Sequence, residues 1–226
     1  MQFLLSSKWY NRTMPAFIKN YLFSITFLLT SISAFCETNP HIFIDENAQK
    51  MVKVLKENKS LFVEDREQYE LKIKEIFEPM IDFRRVAATV MGKKYYFAAS
   101  PSQRKEFVNV FKDSLLDTYA ETLAQWENQT ITTLFPENGD SHLDQNIKNI
   151  EVRQTLNTGS SKYPISYKLR KNKDNSWSII NIIVNGVNLG LTFQNQFQAL
   201  AIKNNEDIEK TLNGWVSDAG DAGISG

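Results

Sequence analysis

A single cysteine, Cys36, and two isolated histidines, His41 and His142, are the whole supply of thiol and imidazole groups in this sequence. Thiol catalysis, a disulfide framework and a His-based zinc site have almost nothing to be built from. No G-x-S-x-G, no phosphate-cradling glycine loop and no H-E-x-x-H occurs. Neither sign of charge is in surplus: Lys+Arg and Asp+Glu both number 26, so the basic footprint of a nucleic-acid binder is missing. No apolar run reaches the ~20 residues that span a bilayer. We therefore expect no metal, no cofactor and no nucleic-acid partner.

The longest uncharged apolar run, Tyr21 to Phe35, has the layout of a secretory signal instead. Lys8, Arg12 and Lys19 precede it, and Ala34-Phe35-Cys36 puts small residues on either side of Phe35, just before a cut ahead of Glu37. We expect a signal peptide over 1–36, a single domain over 37–217 and a disordered tail over 218–226. Met14 is an alternative start, and an uncleaved anchor is the alternative reading of the run. Cleavage removes three cations and no anions from the 26 of each, which leaves 23 against 26, and it also removes the cysteine.

Hydrophobic spacing organises the rest. Ala48, Met51, Val52 and Leu55 recur as on a helix over Ile44–Lys56, with Asp45 as its expected cap. Glu57 to Ser60 reads as a polar break. Asp65–Phe77 is a second helix, with Pro79 ending it or lying just past it. Ile81–Val90 is a third, with Gly92 at its C-terminus. The strongest helix signal starts at Ser100, where Pro101 fits the first turn and Gln103 completes a capping box. Phe107, Phe111, Leu115 and Tyr119 then repeat at four-residue intervals, a row that drifts around the helix by about 40° per step.

Beyond Trp126 the period becomes two. Strands are expected over Thr130–Phe135, Ile150–Leu156, Ile165–Leu169 and Trp177–Val184, closed by turns at Pro136–Gly139, Asn157–Gly159, Lys171–Ser176 and Asn185-Gly186. A helix carrying Phe193, Phe197, Leu200 and Ala201 follows, then a short one over Asp207–Trp215. The fold class is α+β: N-terminal helices, a curved antiparallel sheet of about four strands, then C-terminal helices. Asp82, Arg84 and Arg85 interrupt an apolar stretch. They read either as a solvated helix start with its own ion pair, or as candidate head-group contacts, with Arg84 and Arg85 meeting a phosphate at a pocket mouth. Three functional classes fit this layout: a carrier with an apolar interior, a small cavity enzyme (hydrolase or isomerase) working through Tyr95, Tyr119, Tyr167 or Asp82, and an exported protein-binding adaptor.

Three blocks narrow the choice. Pro79-Met80-Ile81-Asp82-Phe83-Arg84-Arg85-Val86, then Met91-Gly92-Lys93-Lys94-Tyr95-Tyr96, then Ala99 to Phe107 resemble the MlaC family, the toluene-tolerance periplasmic phospholipid-binding proteins. Trp177–Ile180, Asn185 to Leu189 and Gln196-Phe197 follow the same pattern, so the resemblance spans about Ile44 to Trp215. The sequence departs from it at Asn181 and Asn185, where the family tends to be acidic, at Asn188 in place of Ser, and at Gln194 in place of Arg. The resemblance implies a periplasmic carrier that shuttles phospholipid between the outer and inner membranes and maintains outer-membrane lipid asymmetry. Its partners would be an outer-membrane lipoprotein–porin complex and an inner-membrane ABC transporter with an MCE-domain subunit. It implies an apolar cavity between sheet and helices that holds the acyl chains, and it implies no catalytic residues. Carried onto this chain, the lining would be Phe83, Val86, Val90, Phe107, Phe111, Leu115, Tyr119, Tyr167, Ile180, Ile182, Val184, Val187 and Phe197.

Overall fold

The computed structural model describes residues 39–137 and 146–218. The expected leader, His142 and all but the first residue of the expected tail lie outside the described residues.

Helix α1 (Pro40–Glu57) begins before the expected Ile44. Its cap is Asn39, whose side chain accepts from the backbone N–H groups of His41 and Ile42 at 2.8 and 3.1 Å. Pro40 suits the first turn because it has no N–H to satisfy, so the start moves ahead of Asp45. Asp45 is thus inside the helix, where its carboxylate accepts from the Thr133 hydroxyl at 2.7 Å. The expected polar break is followed by a four-residue helix, α2 (Leu61–Glu64), too short for periodicity to register. Asp65 caps α3 (Arg66–Met80) through the Gln68 N–H, and Pro79 lies inside its last turn rather than beyond it.

Asp82 caps α4 (Phe83–Ala98), which runs past its expected end. Gly92 breaks the helix as read from the sequence, at φ 68° and ψ 165°, a backbone state open to glycine at little cost. The chain then resumes helical geometry to Ala98 instead of leaving. A side chain at 92 would also press on the Gln194 amide, 3.3 Å from an ideal Cβ, so the glycine sets the approach of a later helix as well. Helix α5 (Pro101–Ala124) starts with the expected reciprocal box: Ser100 Oγ accepts from the Gln103 N–H at 3.2 Å, and Gln103 Oε1 from the Ser100 N–H at 2.9 Å.

The sheet follows in simple order: β1 (Thr130–Leu134), β2 (Asn149–Asn157), β3 (Lys162–Lys171), β4 (Trp177–Val184) and β5 (Val187–Asn188), each antiparallel to the next. The fifth strand, absent from the sequence reading, is two residues long. It arises because Asn185 and Gly186 both take positive φ, 48° and 83°, and fold Val187 back onto Val184 as a tight hairpin. Helices α6 (Leu189–Lys203) and α7 (Ile208–Asn213) close the chain.

The β5–α6 junction is fixed by two amides. Asn181 Oδ1 accepts from the Gly190 N–H at 3.1 Å, and its own amide donates to Asn188 Oδ1 at 3.0 Å, which also caps α6 through Leu191 N–H. A Cβ on Gly190 would come within 2.6 Å of Asn181 Oδ1. Gly190→Ala is expected to push Asn181 aside and to lower stability by about 1–3 kcal/mol in chemical denaturation. In an Asn181→Ala background the same change should cost little, because the obstructing oxygen is gone. Equal losses in both backgrounds would refute the contact.

Packing is divided among three clusters. One joins α4, α5, α6 and α7 around Phe107, Phe111, Phe193, Phe197 and Trp215. A second seats α1 and the end of α3 on the sheet through Ile44, Met80, Val152, Leu169, Trp177 and Ile179. The third holds α1, α3 and α5 together through Leu55, Tyr69, Ile73 and Ala120. A domain of this size ordinarily has one contiguous core, and here the three clusters surround a space that none of them fills.

Candidate functional site

That space is a cavity of about 750 Å³. Its walls come from every cluster: Phe83, Phe111 and Phe193 from the first, Ile44, Met80 and Ile179 from the second, Leu55 and Ile73 from the third. Protein interiors rarely leave voids larger than a water molecule, whose share of the liquid is about 30 Å³. No Asp, Glu, Lys, Arg or His lines the cavity among the described residues. Among them, too, no group of three or more side chains could hold a metal ion, and no helix is long and apolar enough to cross a membrane. The walls offer water few partners, so the arrangement suits a large apolar guest.

The helix α5 row enters this space gradually. Phe107 is fully buried among Phe197 and Trp215, with ring centroids 4.9 and 5.6 Å away. Phe111, one turn on, touches Phe83 and Phe193 and also the cavity. Leu115 and Tyr119 line it outright. The 40° drift per step carries the row from the helix core to the cavity wall.

The sheet wall needs a second correction to simple periodicity. β3 and β4 pair Lys168 with Asn181 and Leu169 with Ile179, so Ile180 is the extra residue of a bulge. The inward set becomes Ile179, Ile182 and Val184, joined by Asn181, rather than the alternating 180, 182 and 184. Across the ladder, Ile165 and Tyr167 face Val184 and Ile182. Burial pushes the Tyr167 phenol above its ordinary pKa, so it is neutral at any physiological pH. Tyr69, behind the α3 wall, is raised to about 12 by the same desolvation.

Of the residues expected at the site, Phe83, Val86, Phe111, Leu115, Tyr119, Tyr167, Ile182 and Val184 line the cavity. Val90, Phe107 and Phe197 lie in the helix core behind it. Ile180 occupies the bulge, and Val187 pairs with Val184 on the short fifth strand without reaching the space. Arg84 and Arg85 are exposed at the start of α4 and do not line it. Arg85 is engaged by Asp82, with Nε 3.1 Å from Oδ2, as an ordinary helix-start ion pair. Tyr95 is also outside the cavity; its hydroxyl lies 3.3 Å from Glu206 Oε1.

Sequence reasoning missed the α1 wall (Ile44, Ala48, Met51, Leu55) and a polar segment spanning the end of α5 and the residues just beyond it: Thr122, Gln125, Trp126 and Gln129. The α1 stripe was visible in the spacing, but spacing does not say whether a stripe meets side chains or a void. The polar segment carried no periodic signal at all.

Comparison with known proteins places this arrangement. The MlaC protein family model matches residues 45–217. The toluene tolerance protein Ttg2D of Pseudomonas putida is 30% identical over 183 residues, 81% of this chain and 82% of that protein. The intermembrane phospholipid transport system binding protein MlaC of Haemophilus influenzae is 24% identical over 212 residues, 92% and 89% of the two chains. Among solved structures, the phospholipid-binding protein from Ralstonia solanacearum, determined in complex with a phospholipid, shares the fold with a TM-score of 0.68. That match is 22% identical and covers 78% of this chain and 94% of the other.

Proposed function

We propose that this chain, which belongs to the MlaC family, is a periplasmic phospholipid carrier that holds acyl chains in the cavity between sheet and helices. The observation that carries the reading is the cavity itself: about 750 Å³, bounded by three separate clusters and, among the described residues, lined by no charged group. A buried methylene contributes about 0.8 kcal/mol, so a 16-carbon chain leaving water gains roughly 12 kcal/mol. A bilayer offers the same gain. Transfer between bilayer and protein is then close to balance, and contacts with membrane partners set its direction. The partners on this reading are an outer-membrane lipoprotein–porin complex and an inner-membrane ABC transporter with an MCE-domain subunit. Lipid moving between them would maintain outer-membrane asymmetry. Export follows from residues 1–36, removed ahead of Glu37, and the protein carries out no chemistry on its cargo.

The test is what accompanies the protein through purification from the periplasm. Organic extraction and mass spectrometry are expected to find glycerophospholipid at near-stoichiometric level, on a chain whose intact mass begins at Glu37. Because no charged group among the described residues lines the cavity, phosphatidylglycerol and phosphatidylethanolamine should both be retained. Protein that yields no lipid would sink the carrier reading.

A further inference from the structure

We propose that the indole N–H of Trp126 anchors the cargo, donating a hydrogen bond to an ester carbonyl or phosphoryl oxygen where the acyl chains meet the head group. This rests on the carrier reading and adds to it the residue that fixes the depth of the lipid in the cavity. Trp126 lines the cavity, and its Nε1 is buried with no hydrogen-bond partner. A buried tryptophan N–H ordinarily finds a partner, because leaving a donor unsatisfied costs free energy. Other buried side-chain groups also lack one, among them the Tyr69 hydroxyl, Gln154 Oε1, Trp177 Nε1 and Gln196 Oε1, but none of those residues lines the cavity. Among the described residues, Trp126 is the one cavity-lining residue with a fully buried side-chain group that lacks a partner.

Its surroundings indicate what it meets. The polar lining is gathered around it: Thr122, Gln125 and Gln129 are within four residues, and Thr158 joins them through the register. Thr130 pairs with Asn157, which brings the neighbouring Gln129 and Thr158 together beside the β2–β3 turn. Of the other polar lining residues, Asn47 and Asn181 use their side chains elsewhere, on the Phe43 carbonyl and on Gly190 and Asn188, while Tyr119 and Tyr167 bring phenol rings to the wall. Polar, uncharged lining is therefore concentrated around Trp126, and most of the remaining wall is apolar. That matches a molecule with long apolar chains joined to neutral ester and anionic phosphodiester oxygens, read by a donor-only group that is indifferent to the head group beyond.

Two measurements on the delipidated protein decide the matter. The first is the indole 1H–15N resonance of Trp126, identified by its loss in Trp126→Phe. It is expected to move downfield when wild-type protein takes up dioleoyl phosphatidylglycerol from vesicles. The second is release of that lipid to acceptor vesicles, expected about fivefold faster from Trp126→Phe, the factor one net hydrogen bond supplies. Repeating the release with the diether analogue separates the oxygens. A fivefold difference that persists assigns the phosphoryl oxygen, and one that vanishes assigns the ester carbonyl. Lipid uptake that leaves the indole resonance unmoved overturns the anchor and spares the carrier. Failure of the wild type to take up lipid overturns both.

Discussion

Ile182→Asp is expected to abolish lipid retention while the protein still folds, and Ile183→Asp, the next residue on the same strand, is expected to retain lipid as the wild type does. Ile182 lines the cavity opposite Tyr167, whereas Ile183 does not reach it. Without lipid, a carboxylate at 182 faces a cavity large enough for water, so the folded state tolerates it. Acyl chains would strip that water away. Desolvating an unpaired carboxylate costs several kcal/mol even after relaxation. Each 1.4 kcal/mol is tenfold in affinity, so a penalty of about 3 kcal/mol or more weakens retention at least a hundredfold. Circular dichroism and a cooperative melt establish folding, and extraction measures the lipid. A folded Ile182→Asp protein with a full complement of lipid would show that acyl chains are not in this cavity. Phe111→Asp is the weaker choice, because Phe111 is only 1% exposed and its ring packs on Phe83, Phe107, Phe193 and Trp215. Its loss of lipid would be indistinguishable from loss of the fold.

The contrast between Ile180 and Ile182 marks where the sequence stops being informative. Local chemistry was legible wherever one or two residues decide a backbone state. Ser100 with Gln103 starts α5, Asn185-Gly186 makes a hairpin turn, and the run of branched and aromatic residues bounds β4 at Trp177 and Val184 as expected. The bulge was not legible, because an extra residue changes which side faces inward without altering composition. Nor was the two-residue β5, which exists only because the preceding turn returns the chain to its own strand. The site itself was half legible for a deeper reason. Phe107 and Phe111 belong to one row with the same chemistry, yet only the second touches the cavity. Apolar periodicity reports that a face is withdrawn from water and is silent on what it is withdrawn into.

That distinction has a thermodynamic consequence. Phe197→Ala is expected to destabilise the protein by about 3–5 kcal/mol, the usual loss for truncating a buried aromatic ring. The amount of lipid per folded molecule should not change. Phe197 is 0% exposed, its ring lies 4.9 Å from Phe107 and 5.7 Å from both Tyr95 and Trp215, and it does not line the cavity. Removing it opens a void among side chains already in contact, which adds a cavity term to the lost transfer energy. Leu115→Ala removes a side chain from a wall that already borders empty space, so it opens no new void and should cost less. For a domain of this size each kcal/mol lowers the melting temperature by about 2–4 °C, so Phe197→Ala should melt roughly 6–20 °C below the wild type. The comparison belongs in delipidated protein, because a bound ligand adds its own stabilisation to the folded state. If Phe197→Ala melts with the wild type but loses its lipid, Phe197 is part of the binding wall. If Leu115→Ala melts further below the wild type than Phe197→Ala does, the space beside Leu115 is filled by protein, and the boundary between core and cavity lies elsewhere.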